Sequence, residues 1–315
     1  MAADDAQRIR FSPALMHQAA TLYYEEEATQ AEVALRLGLS RATVSRLLSE
    51  ARRAGIVRIE VIAPVDPDVA ELGAQLAAAL GLDRAWLPSL PVRASVGEAL
   101  APALGTALRA AGLKRGDVLL VSTGRTIWEA AQAPLASLPG VTLAPMIGGQ
   151  DEPEVWYAPN EIIRQFAVRL EGDPVFLYAP ALPGPQLYDT LLDDPSTRRV
   201  FELWTQARCA VMGVGAPPLT RESLPRFIAS DTASLRESVG DVCSRFYDAR
   251  GKGVPFPGVE RLIATGFERL REIPTTIAVA AGAVKVPSIV TGAASGYFNQ
   301  LVTDAETALA LIAAV

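Results

Sequence analysis

The run QAEVALRLGLSRATVSRLLS, residues 30–49, leaves its part of the chain little conformational choice. Thr29-x-x-Glu32 reads as a capping box, in which each side chain satisfies a backbone donor of the other. Val33, Ala34 and Leu37 then form an apolar helix face, and Gly38 stops the helix by accepting a left-handed conformation. Ser40 caps the next helix, with Val44, Leu47 and Leu48 facing inward, while small Ala34 lets the two helices approach. Upstream, Leu15, Ala19, Leu22 and Tyr23 predict a first helix of about four turns from Ser12. Two helices joined by a short turn containing Gly make a helix-turn-helix.

The outward side chains of the second of these helices are Arg41, Ala42, Thr43, Ser45 and Arg46, all short or guanidinium-bearing. Such a face suits the DNA major groove: Arg pairs bidentately with a guanine edge, and Ser or Thr reaches a base or phosphate. Thr29, Gln30 and Ser40 join them as candidate contacts. The stretch IVRIEVI, residues 56–62, alternates as a short strand does and predicts a winged variant with Arg58 near a phosphate. A three-helix interaction module with a solvated arginine face is the plainer alternative, and the short outer side chains favour DNA.

Charge supports this unevenly. Residues 1–63 hold eight Lys/Arg and eight Asp/Glu, so residues 64–315 carry the whole net charge of −6. Within 36–58, six arginines (36, 41, 46, 52, 53 and 58) face Glu50 alone. Phosphate binding needs such a cationic edge and not a basic protein.

At 315 residues, half of them hydrophobic, the chain is long enough for two domains and a large core. The most apolar stretch, 277–315, is interrupted by Lys285, Pro287 and Asn299, and MAADDAQRIR offers no apolar signal core. A cytoplasmic protein without membrane association is expected. Cys209 and Cys243 are too far apart for a C-x-x-C pattern and read as buried thiols, with no metal site. The boundaries expected are a DNA-binding domain over 1–62, a Pro- and Asp-bearing linker APVDPD over 63–68, and a second domain over 69–315.

That second domain alternates helical and strand-like stretches: helices over 69–80 and 96–111, a buried strand DVLLVS (117–122), and strand candidates at 141–147, 174–178, 210–214 and 276–279. Such alternation predicts βαβ units and a mostly parallel sheet. In LLVSTGRTIWEA (119–130) a strand ends at Ser122, and Thr123, Gly124 and Arg125 lead into a helix at Thr126. Small hydroxyls, a Gly and free N–H groups at a helix start make an anion cradle, which Arg125 complements. Taken alone, the segment is equally an ordinary tight turn, and it lacks P-loop spacing.

Residues 14–61, together with VSTGRTIWEA, IGGQDEPEVWYAPNEIIRQFA, CAVMGVGAP, GDVCSRFYD and GYFNQLVTDAETALALI, resemble the SorC-type (DeoR-like) regulators of bacterial sugar operons. The resemblance spans nearly the whole chain with its blocks in order. It implies an α/β fold: a winged helix-turn-helix followed by a Rossmann-like effector domain similar to sugar-phosphate isomerases and deaminases. It also implies operator DNA as partner, a phosphorylated sugar or polyol as effector, a homodimer or homotetramer, and no cofactor. Under this resemblance Ser122, Thr123, Gly124, Arg125 and Thr126 hold phosphate, Gly148, Gly149 and Asn160 stand in neighbouring loops, and Asp241, Asp248 and Lys285 lie near the sugar. Asp241 and Asp248 also read as surface-loop residues, and Lys285 as a solvent-pointing helix residue. Met146 and Ile147 stand where relatives often carry a basic or polar residue, which favours one monophosphate or a free polyol over a bisphosphate.

The alternative is a sugar-phosphate isomerase or deaminase fused to a DNA-binding module. Such chemistry needs a base poised near neutral pH. The single histidine, His17, lies in the DNA-binding segment, and no catalytic triad or metal cluster is legible. No catalytic residue is assigned, and a regulator is the expected function.

Overall fold

A computed structural model describes residues 11–57, 59, 67–89, 95–221, 224–228 and 233–315, and the chain divides into two compact units, Met1–Ala63 and Pro64–Val315. The first unit is built from local signals. Ser12 caps α1 (Pro13–Ala20), its Oγ accepting the Leu15 N–H at 3.2 Å. The α-helix ends at Ala20, earlier than the sequence predicts, and widens into a π turn over Thr21–Glu25. The wider turn brings the Glu26 N–H to the Thr21 carbonyl and the Ala28 N–H to that of Leu22, carrying the chain towards the next helix.

α2 (Gln30–Leu37) opens on the full capping box: the Glu32 N–H donates to Thr29 Oγ1 at 3.3 Å, and the Thr29 N–H donates to Glu32 Oε2 at 2.8 Å. Gly38 ends it at φ +65°, a conformation that costs glycine little. α3 (Arg41–Arg53) starts from Ser40, whose Oγ accepts the Thr43 N–H at 3.1 Å. Met16, Ala19, Val33, Val44, Leu47 and Ala51 are fully buried at the centre of the three helices, and Leu37 packs half-buried beside them. Ile56 and Val57 lie against this core in a bend, outside any strand; Arg58 and residues 60–62, and with them the expected wing, lie outside the described residues.

In the second unit α4 (Pro67–Leu80) takes Pro67 and Asp68, expected in the linker, into its first turn. The strands are β1 (Arg84–Trp86), β2 (Val118–Val121), β3 (Thr142–Pro145), β4 (Asp173–Pro174), β5 (Ala207–Gly213), β6 (Ser238–Val242), β7 (Arg245–Asp248), β8 (Thr275–Val279) and β9 (Gln300–Val302). Seven of them form one parallel sheet in the order β1-β9-β8-β5-β2-β3-β4, and β6 and β7 pair as a separate antiparallel hairpin. The remaining helices are α5 (Val96–Ala110), α6 (Arg125–Gln132), α7 (Pro159–Leu170), α8 (Pro185–Asp193), α9 (Pro195–Gln206), α10 (Phe267–Glu272), α11 (Val286–Ala294) and α12 (Ala305–Ile312).

Both sheet faces are covered, which is why β2 reads as an unbroken apolar run. Leu119 and Val121 point into a cluster with α5, α6 and α7, whereas Val118 and Leu120 join α4, α12 and the hairpin on the other face. Cys209 and Cys243 are buried free thiols, and burial pushes both up to about 12. Among the described residues no helix is long and apolar enough to cross a membrane.

The strand expected over 174–178 is reduced to Asp173–Pro174. Val175 still donates to the Leu143 carbonyl at 2.8 Å, but both backbone groups of Leu177 are taken by the Asn160 amide, at 2.9 and 3.0 Å. From β2 the chain moves outward to β3 and β4; β5 then returns to the other side of β2, and β8 and β9 continue away. The direction reverses between β2 and β5. In open α/β sheets, that reversal opens a crevice beyond the strands' carboxyl ends.

Candidate functional site

On α3, Arg41, Ala42, Ser45 and Arg46 are exposed, opposite buried Val44 and Leu47. Arg36 is tied to Glu26 at 2.6 Å and Arg53 to Glu50 at 3.2 Å, whereas Arg41 and Arg46 pair with no carboxylate among the described residues. Their guanidiniums are thus open to a ligand. The Ser40 and Thr43 hydroxyls bond each other at 2.8 Å, so one can still turn outward. Thr29 is committed to its cap: its hydroxyl donates to Glu32 Oε2 at 2.8 Å, and its backbone and side-chain bonds hold the Glu32 carboxyl below its ordinary value. Gln30 sits half-buried beside it as the first residue of α2.

In the second unit the crevice between β2 and β5 is built around the loop after β2. Ser122 locks it: its Oγ accepts the Gly213 N–H and donates to the Thr123 carbonyl, both at 3.1 Å. The Ser122 hydroxyl therefore positions the loop. Gly124 adopts φ +132°, ψ 151°, a region essentially confined to glycine, and turns the chain straight into α6. No side chain among the described residues caps α6, so the N–H groups of its first turn are left unsatisfied by the helix at the carboxyl end of β2. Arg125 is exposed at this end, its guanidinium 4.6 Å from the Trp156 ring centroid, and Thr126 follows half-buried. Helix-start donors beside an arginine make an anion site.

Three further elements converge here. Asp241, on β6, is ion-paired with Arg221, from the segment after β5, and Asp241 Oδ2 also accepts the Ser244 N–H at 3.1 Å. The Lys285 ammonium, in the turn before α11, is held below its ordinary value by burial and by Arg221, against the pull of Asp241 and Glu129. The Tyr157 phenol is raised by burial and then by Glu152, with Arg221 opposing. Those mutual influences put Arg221, Asp241, Lys285, Glu129 and Tyr157 in one electrostatic neighbourhood. Lys285 is half-buried in a 3-10 turn and is not the solvent-pointing helix residue of the plainer reading.

The other candidates are turned inward. The Gly148 N–H donates to the Ile263 carbonyl at 2.9 Å and that of Gly149 to the Ala179 carbonyl at 2.8 Å. A Cβ on Gly148 would lie 2.7 Å from the Ala179 carbonyl oxygen, so glycine here answers to close packing. Asn160 clamps Leu177, and Asp248 Oδ1 accepts the Arg250 and Lys252 N–H groups, both at 2.9 Å, to close the turn after β7. Met146 and Ile147 are fully buried and bring no charge to the crevice, and Arg245 beside them is committed to the Leu262, Ala264 and Thr265 carbonyls.

Sequence reasoning missed Arg221, Tyr157 and Gln150: Gln150 and Tyr157 come from one segment and Arg221 from another, and no spacing links either segment to Thr123–Thr126. His17, the single histidine, is exposed on α1 in the other unit, and among the described residues no three His, Cys, Asp or Glu converge to hold a metal ion.

The sugar-binding domain family designated Sugar-bind matches residues 67–313, and the region 4 family of sigma-70 matches residues 16–54. The chain is 32% identical over 310 residues to the deoxyribonucleoside regulator of Bacillus subtilis (strain 168), covering 94% of this chain and 96% of that one. It is 30% identical over 319 residues to the sorbitol operon regulator of Klebsiella pneumoniae, covering 95% and 97%. The crystal structure of full-length SorC from Klebsiella pneumoniae superposes with a TM-score of 0.67 at 30% identity, covering 95% of this chain and 98% of that one. With a helix-turn-helix unit followed by a sugar-binding domain, the chain belongs to the SorC/DeoR-type family of sugar-operon transcriptional regulators and not to a family of enzymes.

Proposed function

We propose that this regulator binds its operator through Arg41, Arg46 and the hydroxyls of α3, and that a phosphorylated sugar or polyol in the β2/β5 crevice controls that binding. It acts in the cytoplasm, as a homo-oligomer. The observation that carries the effector reading is the uncapped start of α6, reached through Gly124 in a glycine-only conformation and flanked by Arg125. Thr123–Thr126 take the phosphate; Arg221, Asp241 and Lys285 stand where they can read hydroxyls. The buried apolar pair Met146 and Ile147 supports a single phosphate. The names of the two relatives, a deoxyribonucleoside regulator and a sorbitol operon regulator, support a sugar or polyol.

A thermal-shift screen of sugar and polyol phosphates identifies the ligand, since one present at 100 times its dissociation constant stabilises by about 2.7 kcal/mol. With that ligand, Arg125→Ala is expected to weaken binding about ten- to a hundredfold while leaving operator affinity unchanged, because it removes a charge-assisted donor from an exposed helix start. Thr123→Val, which deletes a hydroxyl at nearly constant volume, acts in the same direction. Calorimetric titration and operator-release assays measure both, and wild-type affinity in the two variants together reduces the loop to a turn.

The oligomeric reading rests on the short span of a single helix-turn-helix, which contacts few base pairs, so that specificity needs repeated half-sites. Light scattering of the full chain at micromolar concentration is expected to give a dimer or tetramer. A monomer there, still bound to one palindromic operator, contradicts it.

A further inference from the structure

The segment after the Gly148–Gly149 turn, residues 150–157, reads QDEPEVWY and lies on the anion loop itself. It engages three successive residues of that loop. Gln150 Nε2 donates to Thr123 Oγ1 at 3.1 Å, the Gly124 N–H donates to the Trp156 carbonyl at 2.9 Å, and the Arg125 guanidinium lies over the Trp156 ring. The segment is acidic, carrying Asp151, Glu152 and Glu154, and both glutamates act on Tyr157 within the same neighbourhood as Arg221 and Asp241. Its far side is held by Arg226, whose N–H donates to Glu152 Oε1 at 2.5 Å. We propose that this strap is a built-in competitor: in the empty protein it covers the Thr123–Arg125 loop, and an effector phosphate binds by lifting it.

The proposal rests on the effector reading above and adds a cost to it. The strap brings its own carboxylates to a site that suits anions, so a phosphate and a seated strap repel each other. Its seat is also incomplete: Gln150 Oε1 is buried there without a hydrogen-bond partner among the described residues, which penalises the closed position. On the loop side the strap is held by one hydrogen bond to a side chain, one from a backbone N–H and one cation–π contact, few enough for a charged ligand to displace, while Arg226 keeps its far side anchored. A protein whose competent state is partly populated binds with an apparent affinity reduced by that fraction. The strap therefore sets the effector concentration at which the regulator responds, and its release exposes the Trp156 ring.

The test uses the full chain and inorganic phosphate, raised to tens of millimolar. Acrylamide quenching of the wild type less that of Trp156→Phe isolates the Trp156 signal from the other tryptophans. Phosphate is expected to increase that quenching, and Trp156→Ala is expected to bind phosphate about two- to fivefold more tightly than the wild type. Binding seen only in Trp156→Ala is the same result in stronger form. Phosphate that binds wild type and depends on Arg125, yet leaves Trp156 quenching unchanged, overturns the strap alone. So does weaker binding in Trp156→Ala, which would make the ring part of the site. Phosphate binding that survives Arg125→Ala, or that is absent from both the wild type and Trp156→Ala, overturns the effector reading beneath it.

Discussion

Gly97→Ala is expected to destabilise the effector domain by about 3 kcal/mol and to lower its unfolding temperature by about 6–12 °C. At Gly97 the helices α5 and α6 approach so closely that a methyl group would lie 2.2 Å from the Thr126 carbonyl oxygen, 2.5 Å from the Glu129 Cβ and 2.8 Å from the Ala130 amide nitrogen. Two of these atoms are backbone, so no rotamer relieves the clash. Relief requires α6 to move outward, which also strains the bond from the Gly97 N–H to Glu129 Oε2 at 2.9 Å. Because α6 begins with Arg125 and Thr126, the folded fraction of the variant should answer poorly to effector while still binding operator. Scanning calorimetry with effector titration checks both parts. A wild-type transition temperature would show that the two helices part without cost.

Replacing Arg41 and Arg46 together by alanine is expected to weaken operator binding at least thirtyfold. Each arginine that reads a base edge contributes about 1–3 kcal/mol, and both are exposed on α3 without a carboxylate partner among the described residues. The loss should be selective, falling harder on the operator than on unrelated DNA. Arg36→Ala is the internal control, since Arg36 is already held by Glu26 at 2.6 Å. Fluorescence anisotropy at one fixed salt concentration, on an operator recovered by in vitro selection, makes the comparison. Equal affinities for the double variant and the wild type would move the recognition surface off α3.

The helix-turn-helix was legible because its signals are local. Thr29 and Glu32 cap a helix three residues apart, Gly38 ends it, and Ser40 starts the next. β2 was legible because four consecutive buried residues leave few alternatives. β1 and β9 were not, being three residues each and joined across the chain, as the bond from Trp86 Nε1 to Gln300 Oε1 at 2.8 Å shows. The effector crevice divides the same way. Thr123–Thr126 stand out because a strand end, a glycine and a helix start are contiguous, so the backbone alone marks them as the candidate site. Arg221 and Tyr157 arrive from other loops through the tertiary fold. Gly148, Asn160 and Asp248 spend their hydrogen bonds on neighbouring backbone, a commitment that depends on tertiary contacts and leaves no mark in the sequence.

β9 fills the place between β1 and β8, so β1 has no strand beside it until residues 300–302 have left the ribosome. The sensor is thus a late product of translation, completed by pairing the two ends of its own sequence, a slow kind of contact to form. The DNA reader needs no such wait: its core is closed by residues within about forty positions of one another, and it folds as it emerges. For an interval during each round of synthesis the nascent chain carries a finished reader and an unfinished sensor. A chain stopped short of β9 stays in that state, a reader that no metabolite can address.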